Sequence, residues 1–152
     1  MDQFNMMWMN DALFLANQAA LMGEVPVGAV VLYENQIIGK GYNTRERDQN
    51  PLAHAEISAI QEASAKIRSW RLSHCILVVT LEPCPMCLAA CQQARMAQVF
   101  FGAQDPKGGA ISLGYGFHED PRTHHRFPVT YMENPECSQV LKNFFAQRRK
   151  RR

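Results

Sequence analysis

The chain has 152 residues, of which 47% are hydrophobic and 20% charged, and its formal net charge is +2. This length and composition are those of one globular domain, so disordered, collagenous and low-complexity proteins are excluded. No apolar run is long enough to span a bilayer, and the N-terminus lacks the basic start of a secretory signal. We therefore expect a single domain over residues 1–152, no membrane association and a cytoplasmic location.

The first part of the chain has the periodicity of a helix, and the pattern of a β-hairpin follows it. Over residues 2–22 apolar side chains recur every three or four positions, which predicts a helix that the following glycine ends. Residues 25–33 and 36–42 are two runs rich in β-branched residues on either side of a Glu-Asn pair. This pattern predicts two antiparallel strands joined by a tight turn.

The middle of the chain alternates helices and strands. An Asn-Pro pair at residues 50–51 predicts a break, after which residues 54–67 have helical periodicity. Residues 75–81 form a continuous apolar run, which is typical of a strand covered on both faces. Residues 84–96 contain few helix breakers and predict a helix, and residues 97–102 predict another buried strand.

The last third of the chain is irregular before it ends in a helix. Residues 103–127 are rich in glycine, which predicts loops and short turns, and residues 129–131 predict a short strand. Asn134-Pro135 is a typical helix start, and this helix should run into the basic C-terminus. The alternation of strands and helices predicts an α/β fold, a three-layer α/β/α sandwich around a mixed sheet of about five strands.

The charge of the chain is concentrated at its C-terminus. The last five residues are all basic, which leaves 11 basic against 14 acidic residues in the rest of the chain. The body therefore carries −3 and the tail +5. A basic tail on an acidic body indicates a polyanionic partner such as a nucleic acid, although a solvated terminus would have the same composition.

Two short motifs about thirty residues apart carry the chemistry. They are His54-x-Glu56 and Pro83-Cys84-x-x-Cys87. Cysteines three residues apart at a helix start place both sulfurs on one face, and the helix N-terminus lowers thiol pKa values. Two thiolates and an imidazole would bind zinc and leave a fourth position open, as in catalytic zinc sites. Glu56 could then serve as general base and general acid.

Other interpretations of the cysteines remain open at this point. Cys-x-x-Cys alone is also typical of thioredoxin-like redox proteins. Cys91 lies one turn beyond Cys87 and could close the site into a structural one, but His54-x-Glu56 would then have no purpose. We expect one zinc ion per chain, with Cys75, Cys91 and Cys137 in the core.

Both motifs together, in this order, are the pattern of zinc-dependent deaminases. With them, the chain resembles the bacterial tRNA-specific adenosine deaminases of the cytidine-deaminase-like superfamily over nearly its whole length. The matching segments are residues 24–30, 41–43, 53–57, 79–87 and 101–109, and Phe144-Phe145 followed by Arg148-Arg149.

The resemblance implies a cytidine deaminase-like fold, zinc bound by His54, Cys84 and Cys87, and proton transfer by Glu56. It implies that zinc-activated water deaminates adenosine to inosine at the wobble position of a tRNA anticodon loop. A homodimer without a nucleotide cofactor is implied as well. The residues implied to contact the nucleotide or the RNA stem-loop are Asn43, Asp105, Lys107, His125, Arg126, Arg148 and Arg149.

Two other functions remain possible from the sequence. A free-base or nucleotide deaminase of the same superfamily, acting on guanine or cytosine, would use the same zinc chemistry but would not need the basic tail. A non-catalytic zinc-stabilised RNA-binding module would have a closed four-ligand site and no use for Glu56. Residues 113–126 depart from the family pattern at a place that helps to frame the substrate entrance.

Overall fold

A five-stranded mixed sheet with helices on both faces forms the fold. The structure, a computed structural model, describes residues 4–151, so residues 2 and 3 of the predicted first helix and Arg152 lie outside the described residues. The strands are Gly28–Tyr33 (β1), Gln36–Tyr42 (β2), Ile76–Val79 (β3), Gln98–Phe101 (β4) and Val129–Tyr131 (β5). The helices are Met6–Leu21 (α1), Arg45–Asp48 (α2), Ala55–Ile67 (α3), Pro85–Gln93 (α4) and Pro135–Lys150 (α5). Within the described residues, none of these helices has the length and apolarity needed to cross a membrane.

The sheet has the order β2-β1-β3-β4-β5. β1 runs antiparallel to β2 and β3, whereas β3, β4 and β5 are mutually parallel. Alternate strand residues point to opposite faces, and each face has its own apolar core. Helices α3 and α4 cover one core, and α1 covers the other together with Cys137 of α5. The predicted α/β/α sandwich and its five-stranded mixed sheet are confirmed.

Most predicted elements are found, with shifted ends. The predicted hairpin turn is confirmed, since Glu34 and Asn35 both have positive φ, as a two-residue type I′ turn requires. α1 starts at Met6, four residues later than predicted, because the Asn5 side chain accepts a hydrogen bond from the Met7 N–H and caps it. α4 ends three residues earlier than predicted, and Arg95 turns the chain with φ 63°.

Glycine allows α3 to lie very close to the sheet. Gly41 of β2 contacts the α3 backbone, and a Cβ atom there would lie 2.7 Å from the Ala59 nitrogen and would also collide with the Ala55 carbonyl oxygen. Only a residue without a side chain permits this approach. The close packing fixes the N-terminal turn of α3, which carries His54 and Glu56, against the end of β2.

The chain reverses in such a way that several segments meet at one edge of the sheet. β1 begins at this edge, and its antiparallel neighbours β2 and β3 end there. β4, which is parallel to β3, also ends there. The segments before β1 and after β2, β3 and β4 therefore lie side by side and can build one site.

Candidate active site

A cavity of about 190 Å³ lies at the edge of the sheet where these segments meet. Its wall combines apolar residues before β1 with polar residues that follow β2, β3 and β4 and that begin α3. The polar side chains that line it are Asn43, Arg45, His54, Glu56, Glu82, Cys84 and Asp105. The structure therefore brings Glu56 and two of the three predicted zinc ligands into one cavity with two of the predicted nucleotide contacts.

His54, Cys84 and Cys87 form a group that could hold a metal ion, and their ligand atoms lie within 4.8 Å of one another. The His54 Nδ1 atom is 3.6 Å from Cys84 Sγ and 3.5 Å from Cys87 Sγ. Sulfur at about 2.3 Å and nitrogen at about 2.0 Å from a tetrahedral zinc ion would stand about 3.5 Å apart. The donor atoms and their spacing therefore fit zinc, and this is the only such group within residues 4–151.

The ends of two helices place these side chains. His54 is the N-cap of α3 and Cys84 is the N-cap of α4, and both have extended backbone conformations. Pro85 begins α4, and Cys87 lies in its first turn. Because His54 precedes the regular helix, Glu56 can face the same cavity although the two residues are only two positions apart. The positive ends of both helix dipoles point to the site and favour thiolates there.

The three ligand side chains shift one another's pKa values. Hydrogen bonds from Cys87 and His54 lower the pKa of the Cys84 thiol to about 4. The contact with Cys84 raises the pKa of the His54 imidazole, and donating to Cys84 together with burial raises the pKa of Cys87. Cys84 is therefore a thiolate at neutral pH, which is the form that binds metal ions.

Glu56 is almost completely enclosed, with 4% of its surface exposed. Burial raises the pKa of its carboxyl group to about 7. A carboxyl group whose pKa lies near the working pH can both accept and donate a proton. Glu56 contributes no atom to the three-ligand group, so it is free for this role.

Asn43 and Asp105 both line the cavity, Asn43 after β2 and Asp105 after β4. The Asn43 amide donates to the Val25 carbonyl oxygen at 3.1 Å and accepts from the Arg45 N–H at 3.1 Å. It is thus both a turn residue after β2 and a cavity residue whose amide orientation is held by two bonds. Asp105 Oδ1 accepts from the N–H groups of Lys107 and Gly108, which shapes the loop after β4.

The predicted RNA contacts outside the cavity are spread over the surface. Lys107 is exposed on the loop next to Asp105. Arg148 and Arg149 are exposed in the last turn of α5, and the Arg148 guanidinium stacks over the Phe144 ring at 5.3 Å. These residues do not meet in one pocket with Glu56, and their contact with RNA stays a prediction.

His125 and Arg126 do not line the cavity. The His125 ring is 2.7 Å from the Met96 carbonyl oxygen through Nε2 and stacks on Phe127. The Arg126 guanidinium donates to the backbone carbonyl oxygens of two residues in its own loop. Both side chains shape residues 113–127, and a direct RNA contact by either one stays a prediction.

Two buried glutamates beside the cavity belong to neither of the sequence motifs that predicted the site. Glu24, which is 1% exposed, accepts hydrogen bonds from the N–H groups of Glu46 at 3.0 Å and Arg47 at 2.7 Å. It thereby holds the segment that carries Asn43 and Arg45. Glu82 holds the loop after β4 in a similar way. Their partners are more than 20 residues away, so no local pattern could have revealed these roles.

The three remaining cysteines lie in the core, as predicted. Cys75, Cys91 and Cys137 are fully buried free thiols. Burial raises the pKa of Cys75 to about 11 and that of Cys137 to about 12. Cys91 belongs to the apolar core under α3 and α4 and is not part of the metal-ligand group. The core interpretation of these three residues is confirmed.

Comparison with known proteins decides the family. A family profile described as MafB19-like deaminase matches residues 2–149, which is nearly the whole chain. The chain belongs to the MafB19-like deaminase family. It is 40% identical over 147 residues to a tRNA-specific adenosine deaminase of Bacillus subtilis, covering 96% of this chain and 91% of that protein. A tRNA-specific adenosine deaminase of Haemophilus influenzae is 42% identical, with 97% of this chain and 86% of that protein covered.

Solved structures of other deaminases resemble this chain in fold as well as in sequence. A structure from a study of A-to-I editing by tRNA:A34 deaminases superposes with a TM-score of 0.85 and 38% identity, over 90% of this chain and 100% of the other. A guanine deaminase from Bacillus subtilis has a TM-score of 0.65 and 28% identity, over 97% and 95% of the two chains. The resemblance to tRNA-specific adenosine deaminases and the fold expected from it are therefore confirmed.

Proposed function

We propose that this protein hydrolyses the 6-amino group of adenosine, giving inosine and ammonia, at the wobble position of a tRNA anticodon loop. The observation that carries this proposal is the cavity in which Glu56 faces the His54, Cys84 and Cys87 group. This cavity belongs to a chain that is about 40% identical, over nearly its full length, to curated tRNA-specific adenosine deaminases.

We propose zinc as the metal, with one ion bound by His54, Cys84 and Cys87. Two sulfurs and one imidazole nitrogen at this spacing are the donor set of a catalytic zinc site with one open position. Bound there, zinc would lower the pKa of a water molecule toward neutrality and supply the nucleophile.

Glu56 would move the protons of the reaction. Its carboxylate accepts a proton from the attacking water and delivers it to N1 of the adenine ring. The same carboxylate then takes the proton of the new C6 hydroxyl group and passes it to the amino group, which leaves as ammonia while the C6 carbonyl forms. One carboxyl group can make both transfers because its pKa is raised to about 7 by burial.

Asn43 and Asp105 would position the nucleotide. The Asn43 amide is held by Val25 and Arg45, yet it retains one N–H and one lone pair for a substrate hydroxyl group. Asp105 also lines the cavity, and Lys107 on the same loop is exposed and available for a phosphate. The target base must leave its stack to enter, which costs least in a single-stranded loop.

The decisive experiment compares substrates. The purified protein is incubated with an anticodon stem-loop bearing adenosine at the wobble position, and separately with free adenosine, guanine and cytosine. We expect inosine to form in the stem-loop only, measured by mass spectrometry of the digested RNA. Deamination of free guanine or cytosine without reaction of the stem-loop would instead favour a free-base deaminase, which has the same fold.

The basic tail should contribute affinity for RNA. Residues 148–152 carry five positive charges, and each phosphate contact adds a slope of about −0.7 to −0.9 to the logarithmic dependence of the binding constant on salt. Ending the chain after Gln147 should weaken stem-loop binding and flatten this dependence, measured by titration at several salt concentrations.

Metal content is the control for the tail truncation and should not change, because the ligand group lies elsewhere in the chain. Replacing Arg149 alone should weaken RNA binding with no loss of stability. Arg148 also packs on Phe144, so its replacement should affect both properties. Unchanged affinity and salt dependence after truncation would exclude the tail from RNA binding.

We also propose that the protein is a homodimer that acts on tRNA in the cytoplasm. An open groove between α3 and α4, lined by Ile60, Ala90 and Ala94, supports self-association. Trp70 extends this groove, is 58% exposed and is flanked by Arg71 and Arg95. Light scattering of the purified protein would measure its mass in solution.

A further inference from the structure

Glu82 is a buried carboxylate beside the metal-ligand group for which the reaction described above has no use. It follows β3, lies two residues before Cys84, lines the cavity and is only 3% exposed. A carboxylate removed from water is costly unless donors surround it. The donors around Glu82 therefore indicate what it does.

Every hydrogen bond that the structure gives to the Glu82 carboxylate comes from one loop, residues 105–112. Oε1 accepts from the Asp105 N–H at 3.1 Å and from the Ser112 hydroxyl at 2.6 Å. Oε2 accepts from the Ser112 N–H at 2.8 Å. Asp105 begins this loop and Ser112 ends it, so one carboxylate holds both ends.

The backbone of the loop also contacts Glu82 and its neighbour Pro83 directly. The Ala110 N–H donates to the Pro83 carbonyl oxygen at 2.8 Å, and the Glu82 N–H donates to the Ala103 carbonyl oxygen at 2.8 Å. Gly109 lies directly against the Glu82 side chain, and a Cβ atom there would collide with both carboxylate oxygens. A glycine at this position is therefore required for the loop to reach Glu82.

We propose that Glu82 is a positioning residue that holds the loop 105–112 against the cavity and so keeps Asp105 turned to the substrate. The proposal rests on the proposed function, because Asp105 matters only if a nucleotide enters this cavity. Glu82 acts through the loop and not on the substrate, since both of its oxygens are already used by the loop. Bonds to a charged acceptor are stronger than neutral ones, which suits a group that must immobilise a loop.

The test is the kinetic behaviour of Glu82→Gln with the anticodon stem-loop. The glutamine NH₂ group would face N–H and O–H donors, so the loop should detach while the metal ligands and Glu56 stay in place. We expect KM to rise about tenfold or more, as for the loss of hydrogen bonds to a charged group, with kcat changed less than about threefold. Zinc content should match that of the wild type.

Ser112→Ala removes the hydrogen bond from the Ser112 hydroxyl to Glu82 and leaves the carboxylate in place. It therefore tests the same proposal if Glu82→Gln does not fold. It should raise KM in the same direction by a smaller factor. The double variant should be no worse than Glu82→Gln alone, because both changes remove the same contact. Glu62→Gln, which alters an exposed glutamate of α3, is the matched control and should behave as the wild type.

Amide hydrogen exchange of residues 105–112 separates this proposal from the proposed function. Exchange there should be faster in Glu82→Gln than in the wild type, whether or not the stem-loop is a substrate. A wild-type protein that does not deaminate the stem-loop would refute the proposed function alone. Unchanged exchange in the loop would overturn the role of Glu82, and so would a lower melting temperature with KM unchanged.

Discussion

Replacing Glu56 with glutamine should lower the deamination rate of the stem-loop by about 10²–10⁴-fold and leave the metal content unchanged. Glu56 lies in the cavity and contributes no atom to the three-ligand group. Glutamine fills the same space but cannot carry a proton between water and the adenine ring. The variant should fold, because a neutral amide costs less to bury than a carboxylate. Single-turnover deamination and elemental analysis for zinc are the measurements.

The control for this experiment is Glu62→Gln, an exposed position on the same helix, which should retain the wild-type rate. Binding of the stem-loop should also be nearly the same in wild type and Glu56→Gln. Loss of zinc together with activity in Glu56→Gln would show that Glu56 supports the metal, and its assignment as proton carrier would then be wrong.

Replacing Cys87 with alanine should remove both the metal and the activity. Cys87 is fully buried, and its sulfur lies 3.5 Å from His54 Nδ1 within the ligand group. Two remaining ligands cannot hold zinc tightly, so activity should fall to background. Because metal binding contributes to folding free energy, the melting temperature should fall as well. Elemental analysis, calorimetry and the stem-loop assay measure the three effects.

Cys91→Ala is the matched control for Cys87→Ala. Cys91 is the same residue type one turn further along α4, is fully buried and lies in the apolar core. Its replacement should cost about 1 kcal/mol of unfolding free energy and leave metal content and activity intact. Loss of metal from Cys91→Ala would instead indicate a closed four-ligand site, as in a structural zinc module.

The elements with local signals were predictable from the sequence. The continuous apolar run at residues 75–81 contains β3, all of whose residues are buried. The Asn134-Pro135 pair begins α5, and the Asn134 side chain accepts from the Glu136 N–H as a helix cap. The grouping of His54, Cys84 and Cys87 was predictable for the same reason, since each residue lies within a short motif at a helix start.

Features that depend on distant contacts were not predictable. Helix α2 has only four residues, and no periodicity can reveal it. Its N–H groups are satisfied by Glu24, which is 22 and 23 residues away from its two partners. Glu82 likewise has its function through Asp105 and Ser112, which lie 23 and 30 residues away. Such roles arise only when the sheet has brought the segments together.

The convergence of segments at one edge of the sheet has a consequence for the stability of the site. His54 and Cys84 are 30 positions apart, and helix α3, which His54 caps, packs closely on β2, where Gly41 contacts its backbone. The complete cavity also needs the start of β1 and the loop after β4, from residue 25 to residue 105. Ordering that longer stretch fixes more of the chain and costs more conformational entropy.

The candidate metal group and the complete cavity therefore both depend on long-range contacts within the sheet. A metal ion bound by His54, Cys84 and Cys87 would cross-link segments 30 positions apart and so restrict the unfolded chain. The wall that a nucleotide would contact is complete only when β1 is paired with β3 and Glu82 holds the loop that follows β4. Metal binding and nucleotide recognition should therefore be lost together when the sheet unfolds.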